Sequence, residues 1–222
     1  MLDASKLVVV SAAFALGFGT LVSDARAADP AWQDLFNGKD FANWQNTAGA
    51  KPSEGWVVED GAMVRRGRAG YIWTKDRFGD FVLDLEFKTA GNSGIFIRTD
   101  NTRDPVQTGI EIQVDRPAAK PGKHTCGSIY DCLAPTKVAD KPDQWNHVVI
   151  TARDNRIMVL INGEKIVEMD LDRWSEANKN PDGSRNKFRT ALKDFKREGH
   201  IGFQDHGAPV SYRNVKIKLP GR

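Results

Sequence analysis

The chain has 222 residues, 40% hydrophobic and 27% charged, with 32 Lys and Arg against 29 Asp and Glu for a formal net charge of +3. That length and apolar content suit one globular domain and exclude a disordered or fibrous chain. Basic residues are interspersed with acids rather than gathered in a stripe, so nucleic acid is excluded as an expected partner.

In chain order, "MLDASKLVVVSAAFALGFGTLVSDARAADP" comes first, with Lys6, an apolar run from Leu7 to Val22 and the small-residue pattern Ala25-Arg26-Ala27. This reads as an export signal spanning residues 1–27, followed by a single domain over residues 28–222. The run is shorter than the roughly 20 apolar residues that span a bilayer, and no later segment approaches that length. The mature protein is therefore expected to be periplasmic or secreted, without integral membrane association.

Beyond the leader, short stretches of period-two alternation rich in Val, Ile, Phe and Trp recur between Gly, Asn, Asp and Pro. Strands are predicted at "GWVVEDGAMV", "YIWTK", "FVLDLEFKT", "SGIFIRTD", "GIEIQVD", "GSIYDCL", "WNHVVITARDN", "RIMVLINGEKIVEMD", "GHIGFQDHG" and "SYRNVKIKL". Asp60-Gly61 and Asn162-Gly163 mark two hairpin turns. "NKFRTALKDFK" has helix-capable composition, and "EANKNPDGSRNKFR" reads as a solvated insertion. So many short strands with almost no helix predict an all-β sandwich or jelly roll.

Export permits oxidised cysteines, and Cys126 and Cys132 in "HTCGSIYDCL" are expected to close a local loop as a disulfide. The rival, a metal site joining a thiolate to His124, falls short of a four-ligand pattern.

Residues i, i+2 and i+4 of a strand share a face. In "GIEIQVD", Ile110, Ile112 and Val114 take the core side, leaving Glu111, Gln113 and Asp115 opposite. Two carboxylates and an amide in a row form a hydrogen-bonding ladder suited to sugar hydroxyls. In "FVLDLEFK" the outward Asp84, Glu86 and Lys88 read instead as an ordinary wet sheet face. In "GHIGFQDHG", Ile201 and Phe203 anchor the strand, while Gln204 and His206 fall on the other face at a strand end where loops place functional groups. His147 and His200 read as structural, and Arg213 as either a paired arginine or a ligand contact. Arg98 ends "GIFIR" on the face it shares with Phe96.

With these motifs assembled, the chain from about residue 34 to residue 219 resembles the 3-keto-disaccharide hydrolase family. "LFNGKDFANW", "GWVVEDGAMV", "FVLDLEFK", "NSGIFIR", "GIEIQVD", "GSIYD", "INGEKI" and "GHIGFQDHGAPVSYRNVKI" carry the likeness through their order and spacing. The resemblance implies a concanavalin-like jelly roll of two antiparallel sheets with a sugar-binding cleft on one of them. It also implies a site drawn from Glu111, Gln113, Asp115, Arg98, Gln204 and His206, with Tyr130 reaching the cleft.

A 3-keto glycoside has a C2 proton made acidic by the neighbouring ketone, so elimination of the aglycone followed by addition of water gives net hydrolysis. That route needs a base near C2, a cation or donor for the enolate oxygen and an acid for the leaving oxygen. His206 is the expected base, Arg98 the expected enolate partner and Glu111 the acid or alternative base. One alternative is a retaining glycosidase using Glu111 and Asp115, whose Cα atoms would lie ~13 Å apart in a regular strand. Another is a carbohydrate-binding module without chemistry, which would set Trp or Tyr platforms along the cleft. No cofactor is required by the sequence, although a divalent metal held by Glu111, Asp115 or His206 would also serve an enolate.

Overall fold

The computed structural model describes residues 31–220; the export signal expected over residues 1–27 lies outside them. Among the described residues the strands are β1 (Gln33–Asp34), β2 (Trp44–Asn46), β3 (Trp56–Glu59), β4 (Ala62–Arg65), β5 (Ile72–Thr74), β6 (Phe81–Thr89) and β7 (Ser93–Thr99). They continue with β8 (Ile110–Val114), β9 (Asn146–Arg153), β10 (Arg156–Ile161), β11 (Glu164–Asp170), β12 (His200–Phe203) and β13 (Val210–Lys218). They form two antiparallel sheets. The larger runs β11-β10-β9-β6-β13-β4-β3 with β1 against β13, and the smaller runs β2-β5-β12-β7-β8. This is the concanavalin-like jelly-roll sandwich.

Alternation decides which face of each strand is inside. Leu83, Leu85 and Phe87 of β6 and Ile150 of β9 join Ile95 and Ile97 of β7, Ile112 of β8 and Phe203 of β12 in one core. Each such side chain is worth about 1.5–3 kcal/mol when fully buried. A one-residue slip would turn a whole strand's set into water, so the registers are strongly specified. An aromatic stack crosses the core: Trp44 lies 5.2 Å from Phe203, and Phe203 lies 3.9 Å from Tyr212 of the opposite sheet. The Ser93 hydroxyl donates to the Gln204 carbonyl at 2.7 Å and lies 2.8 Å from the buried Tyr212 hydroxyl, which satisfies that polar end. Both predicted hairpin turns form, with positive φ at Asp60, Gly61, Asn162 and Gly163.

Four expectations are corrected. "GSIYDCL" makes no strand: it follows the open edge of β8 through an Ile112–Ile129 bridge and then turns back on itself at Leu133. Its hydrogen bonds still cap that edge, with Gln113 N–H donating to Ser128 O, Gly127 N–H to Gln113 O and Tyr130 N–H to Glu111 O. Cys126 and Cys132 are buried free thiols, not a disulfide. Burial raises both thiols, and the charges acting on them differ: Asp140 and Asp115 on Cys126, Asp131, Lys123 and Lys187 on Cys132. "NKFRTALKDFK" yields only one short 3-10 turn, Leu192–Asp194. The segment around it is no loosely solvated insertion: Asn180 donates to Asp131 O, Gln107 donates to Lys187 O, and Arg189 pairs with Asp104. It is fastened to the loop that follows β8 and to the short helix Pro105–Thr108.

Candidate active site on the smaller sheet

Register lines up one row across the outer face of the smaller sheet. Gln45 of β2 pairs with Trp73 of β5, Trp73 with Gly202 of β12, Gly202 with Phe96 of β7, and Phe96 with Glu111 of β8. The loop beyond β8 extends the row, because its hydrogen bonding sets Tyr130 opposite Glu111. A second row joins Gln204, Gly94 and Gln113, through Gln204 N–H to Gly94 O and the Gly94–Gln113 pair. The two glycines make the floor. A Cβ on Gly94 would come within 2.4 Å of a Glu111 carboxylate oxygen, and one on Gly202 within 2.1 Å of the Trp73 ring. Bare backbone at these two points lets Glu111 and Trp73 lie flat against the sheet.

Glu111, Gln113 and Gln204 are all buried on this outward face, at 6%, 1% and 5% exposure. That sets them apart from a wet sheet surface. Gln204 Nε2 donates to the Tyr71 hydroxyl at 2.9 Å, and Gln113 Nε2 donates to Asn92 at 3.2 Å. The side-chain carbonyls of both glutamines lack a partner among the described residues. Burial pushes the Glu111 carboxyl up to about 7, with the charge of Lys187 and the Gln204 amide drawing it partly back. Burial also raises the Tyr71 hydroxyl. A carboxyl balanced near neutrality in a dry, amide-lined site can exchange a proton in either direction.

Lys187 reaches this row from the segment between β11 and β12. Its ammonium lies 4.0 Å from the centre of the Tyr130 ring. Its backbone N–H donates to Asp131 Oδ2 at 2.8 Å, while Asp131 Oδ1 is 2.9 Å from His124 Nε2. The His124 and Tyr130 rings lie 4.8 Å apart.

The other predicted site residues divide. Gln204, Gln113, Glu111 and Tyr130 come together as described. Asp115 falls just past β8, where its carboxylate accepts from the next residue's N–H at 2.7 Å. His206 is exposed in the loop after β12 and makes no recorded hydrogen bond among the described residues. Its neighbour Asp205 is the anchor of that loop, accepting from Arg65 at 2.6 Å and from the Ala69, Gly70 and Gly207 N–H groups. Although burial opposes it, those donors hold the Asp205 carboxyl below its ordinary value.

Arg98 is a correction. It sits in a β-bulge with φ 50, where Phe96 and Thr99 of β7 pair with Gly202 and His200 of β12. The extra residue turns its side chain off Phe96's face. The guanidinium, 1% exposed, instead donates to Gly79 O, Asp154 O and Asp80 Oδ1, fastening two loops of the larger sheet to the end of β7. His200 is structural as expected, with Nδ1 2.8 Å from Thr74 O, and Arg213 is paired with Glu86 at 2.8 Å. Among the described residues no group of three or more His, Cys, Asp or Glu converges as a metal site.

Sequence reasoning missed Lys187, Tyr71, Gly94 and Gly202. The glycines were legible, since each takes an outward position inside an otherwise apolar strand. Lys187 was not, because nothing in its local sequence tells where a long irregular segment returns. The open grooves lie elsewhere. One of about 510 Å³ flanks Trp145 on the larger sheet, whose ring already carries the Arg213 guanidinium at 4.1 Å.

The 3-keto-alpha-glucoside-1,2-lyase-like domain family matches residues 31–218. A protein of Bacteroides thetaiotaomicron named 3-keto-disaccharide hydrolase is 26% identical over 223 residues, covering 83% of this chain and 77% of its own length. A solved structure from Parabacteroides distasonis, named as a glycosyl hydrolase, is 33% identical with a TM-score of 0.77, covering 86% of this chain and 100% of that one. A Bacillus subtilis protein with a galectin-like fold has a TM-score of 0.51 at 14% identity over 86% of this chain and 96% of that one, a likeness of fold alone.

Proposed function

As the chain belongs to the 3-keto-alpha-glucoside-1,2-lyase-like family and is a glycoside-acting enzyme, we propose that it takes a 3-keto glycoside or disaccharide and releases the aglycone by elimination, water then completing hydrolysis. The observation that carries this reading is Glu111: a single buried carboxyl, raised to about 7, on an outward face lined by Gln113 and Gln204.

In this reading ionised Glu111 removes the C2 proton, and the bonding pair moves toward C3 to leave an enolate on its oxygen. The enolate re-forms the ketone as C1=C2 is made and the C1–O bond breaks, its electron pair leaving with the aglycone oxygen, which gains a proton. Water then adds at C1, and a proton returns to C2. The unpartnered side-chain carbonyls of Gln113 and Gln204 are suited to accept from sugar hydroxyls. Tyr130 and Asp115 flank that surface along the β8 edge.

Glu111 displaces His206 as the preferred base because it is buried on the amide-lined face with its carboxyl raised to about 7, whereas the imidazole is exposed in the loop after β12. A second reading keeps His206 as the base, supported by its exposure two residues beyond Gln204. The retaining-glycosidase reading is weaker: the charge acting on Glu111 is that of Lys187 and not of a second carboxylate. A non-catalytic module would present an aromatic platform, and Trp73 and Phe96 are wholly buried. Export through residues 1–27 belongs to the same proposal, and would put the enzyme in the periplasm or outside the cell.

The test is incubation with a 3-keto disaccharide and with its unoxidised parent, each with and without a chelator. Only the oxidised sugar should be consumed, with a 2-hydroxyglycal ketone seen by NMR. Consumption of the parent alone would overturn the reading, and loss of turnover with chelator would assign the enolate to a divalent ion.

A further inference from the structure

The elimination route leaves one place vacant. With Arg98 tied up among Gly79, Asp80 and Asp154, nothing yet holds the charge that develops on the substrate's C3 oxygen. We infer that the Lys187 ammonium is that group, a catalytic cation delivered to the sheet face by the segment between β11 and β12; the inference rests on the elimination reading.

Three observations converge. Lys187 makes no ion pair among the described residues, whereas Lys123 pairs with Asp182 and Arg189 with Asp104. Its recorded contact is the Tyr130 ring at 4.0 Å, and Tyr130 is the cross-strand neighbour of Glu111, a position whose Cβ atoms ordinarily lie about 4.5–5.5 Å apart. Its backbone is also fixed from two directions, by Asp131 Oδ2 at 2.8 Å and Gln107 Nε2 at 3.0 Å. An exposed lysine on an irregular segment ordinarily has neither constraint.

The Tyr130 ring face holds the ammonium without neutralising it. A carboxylate partner would cancel the charge that an enolate needs, whereas the ring's quadrupole attracts the cation and leaves its hydrogen atoms able to donate. The groups around Glu111 are Gln204 just beyond β12, Tyr71 ahead of β5, Phe96 and Gly94 of β7, Tyr130 of the loop beyond β8, and Lys187. Against the burial that raises the Glu111 carboxyl, the charge of Lys187 draws it down. The lysine therefore has two effects: it favours ionisation of the base and it stabilises the enolate which that base creates.

The test uses the mature protein with Lys187→Met and Lys187→Arg. Turnover of a 3-keto disaccharide is followed across pH, together with exchange of the C2 proton of a 3-keto monosaccharide in deuterated water, a reaction with no leaving group. Lys187→Met should lower kcat and the exchange rate by about 100-fold or more, as loss of one oxyanion donor does. Its acid limb should also move to higher pH. Lys187→Arg, which keeps the charge, should stay within about tenfold of wild type. Unchanged exchange and an unmoved pH profile in Lys187→Met, with wild type active, would overturn the Lys187 assignment alone. A wild-type protein inert toward 3-keto sugars would overturn the elimination reading and this inference with it.

Discussion

Two strands carry the same outward pattern and put it to opposite use. In β6 the outward Asp84 and Glu86 find partners on the larger sheet: His147 lies 3.0 Å from Asp84, Lys216 3.7 Å from it, and Arg213 2.8 Å from Glu86. Hydrogen bonding from Arg213, opposed by slight burial and helped by Asn214, holds the Glu86 carboxyl below its ordinary value. In β8 the outward Glu111 and Gln113 are buried, Glu111 makes no ion pair among the described residues, and burial raises its carboxyl to about 7. An alternating strand thus says which residues leave the core without saying whether they reach water. What stands over the sheet decides between a structural ladder and a chemical site.

Exchanging the two carboxylates for amides should separate the faces most sharply in turnover. Glu111→Gln is expected to reduce kcat for a 3-keto disaccharide by about 10²–10⁴-fold, the range for loss of a positioned general base, with Glu86→Gln near wild type. If His206→Ala gives the large loss and Glu111→Gln does not, the base has been misassigned.

Stability against pH should come next. Because burial raises the folded carboxyl of Glu111 from its ordinary 4.5 to about 7, the native state favours its protonated form. That contribution is fully present below about 4.5 and is lost as pH rises through about 7. Glu111→Gln should therefore gain on wild type by up to about 3 kcal/mol between pH 5 and pH 8, read by denaturant unfolding. An equal offset at both values would mean that Glu111 is not held neutral by burial.

The smallest effect is expected at Glu86, where the sign reverses. Its lowered carboxyl adds stability above the ordinary carboxylate range, and this is lost on acidification through the folded value. Glu86→Gln should cost about 1 kcal/mol or less at pH 7, as partly exposed pairs do, and nothing in acid. A larger cost would mean that the ladder on the larger sheet is not merely solvated.

Much of this was readable in advance. The strands from β3 onward, the two positive-φ hairpins and the core side of β6, β8 and β12 follow from period-two patterning, because burying one face is worth more than any local preference. Glu111, Gln113 and Gln204 could be nominated because amides and acids at successive outward positions are legible in one strand. The Arg98 reading failed because a bulge shifts face parity, and one αL residue has no reliable signature when it is not glycine or asparagine. The Cys126–Cys132 reading failed because close spacing in sequence does not orient two Cβ atoms toward each other.

By itself, then, the sequence determined a two-sheet sandwich, the inward set of each strand and the short roster of polar groups left outside, since these depend on chain-local alternation. Only the tertiary structure decided that Glu111 is dry, that Tyr130 stands opposite it and that Lys187 arrives from 76 positions further along the chain. Desolvation and long-range approach are properties of what packs over a strand, and no periodicity within the strand encodes them.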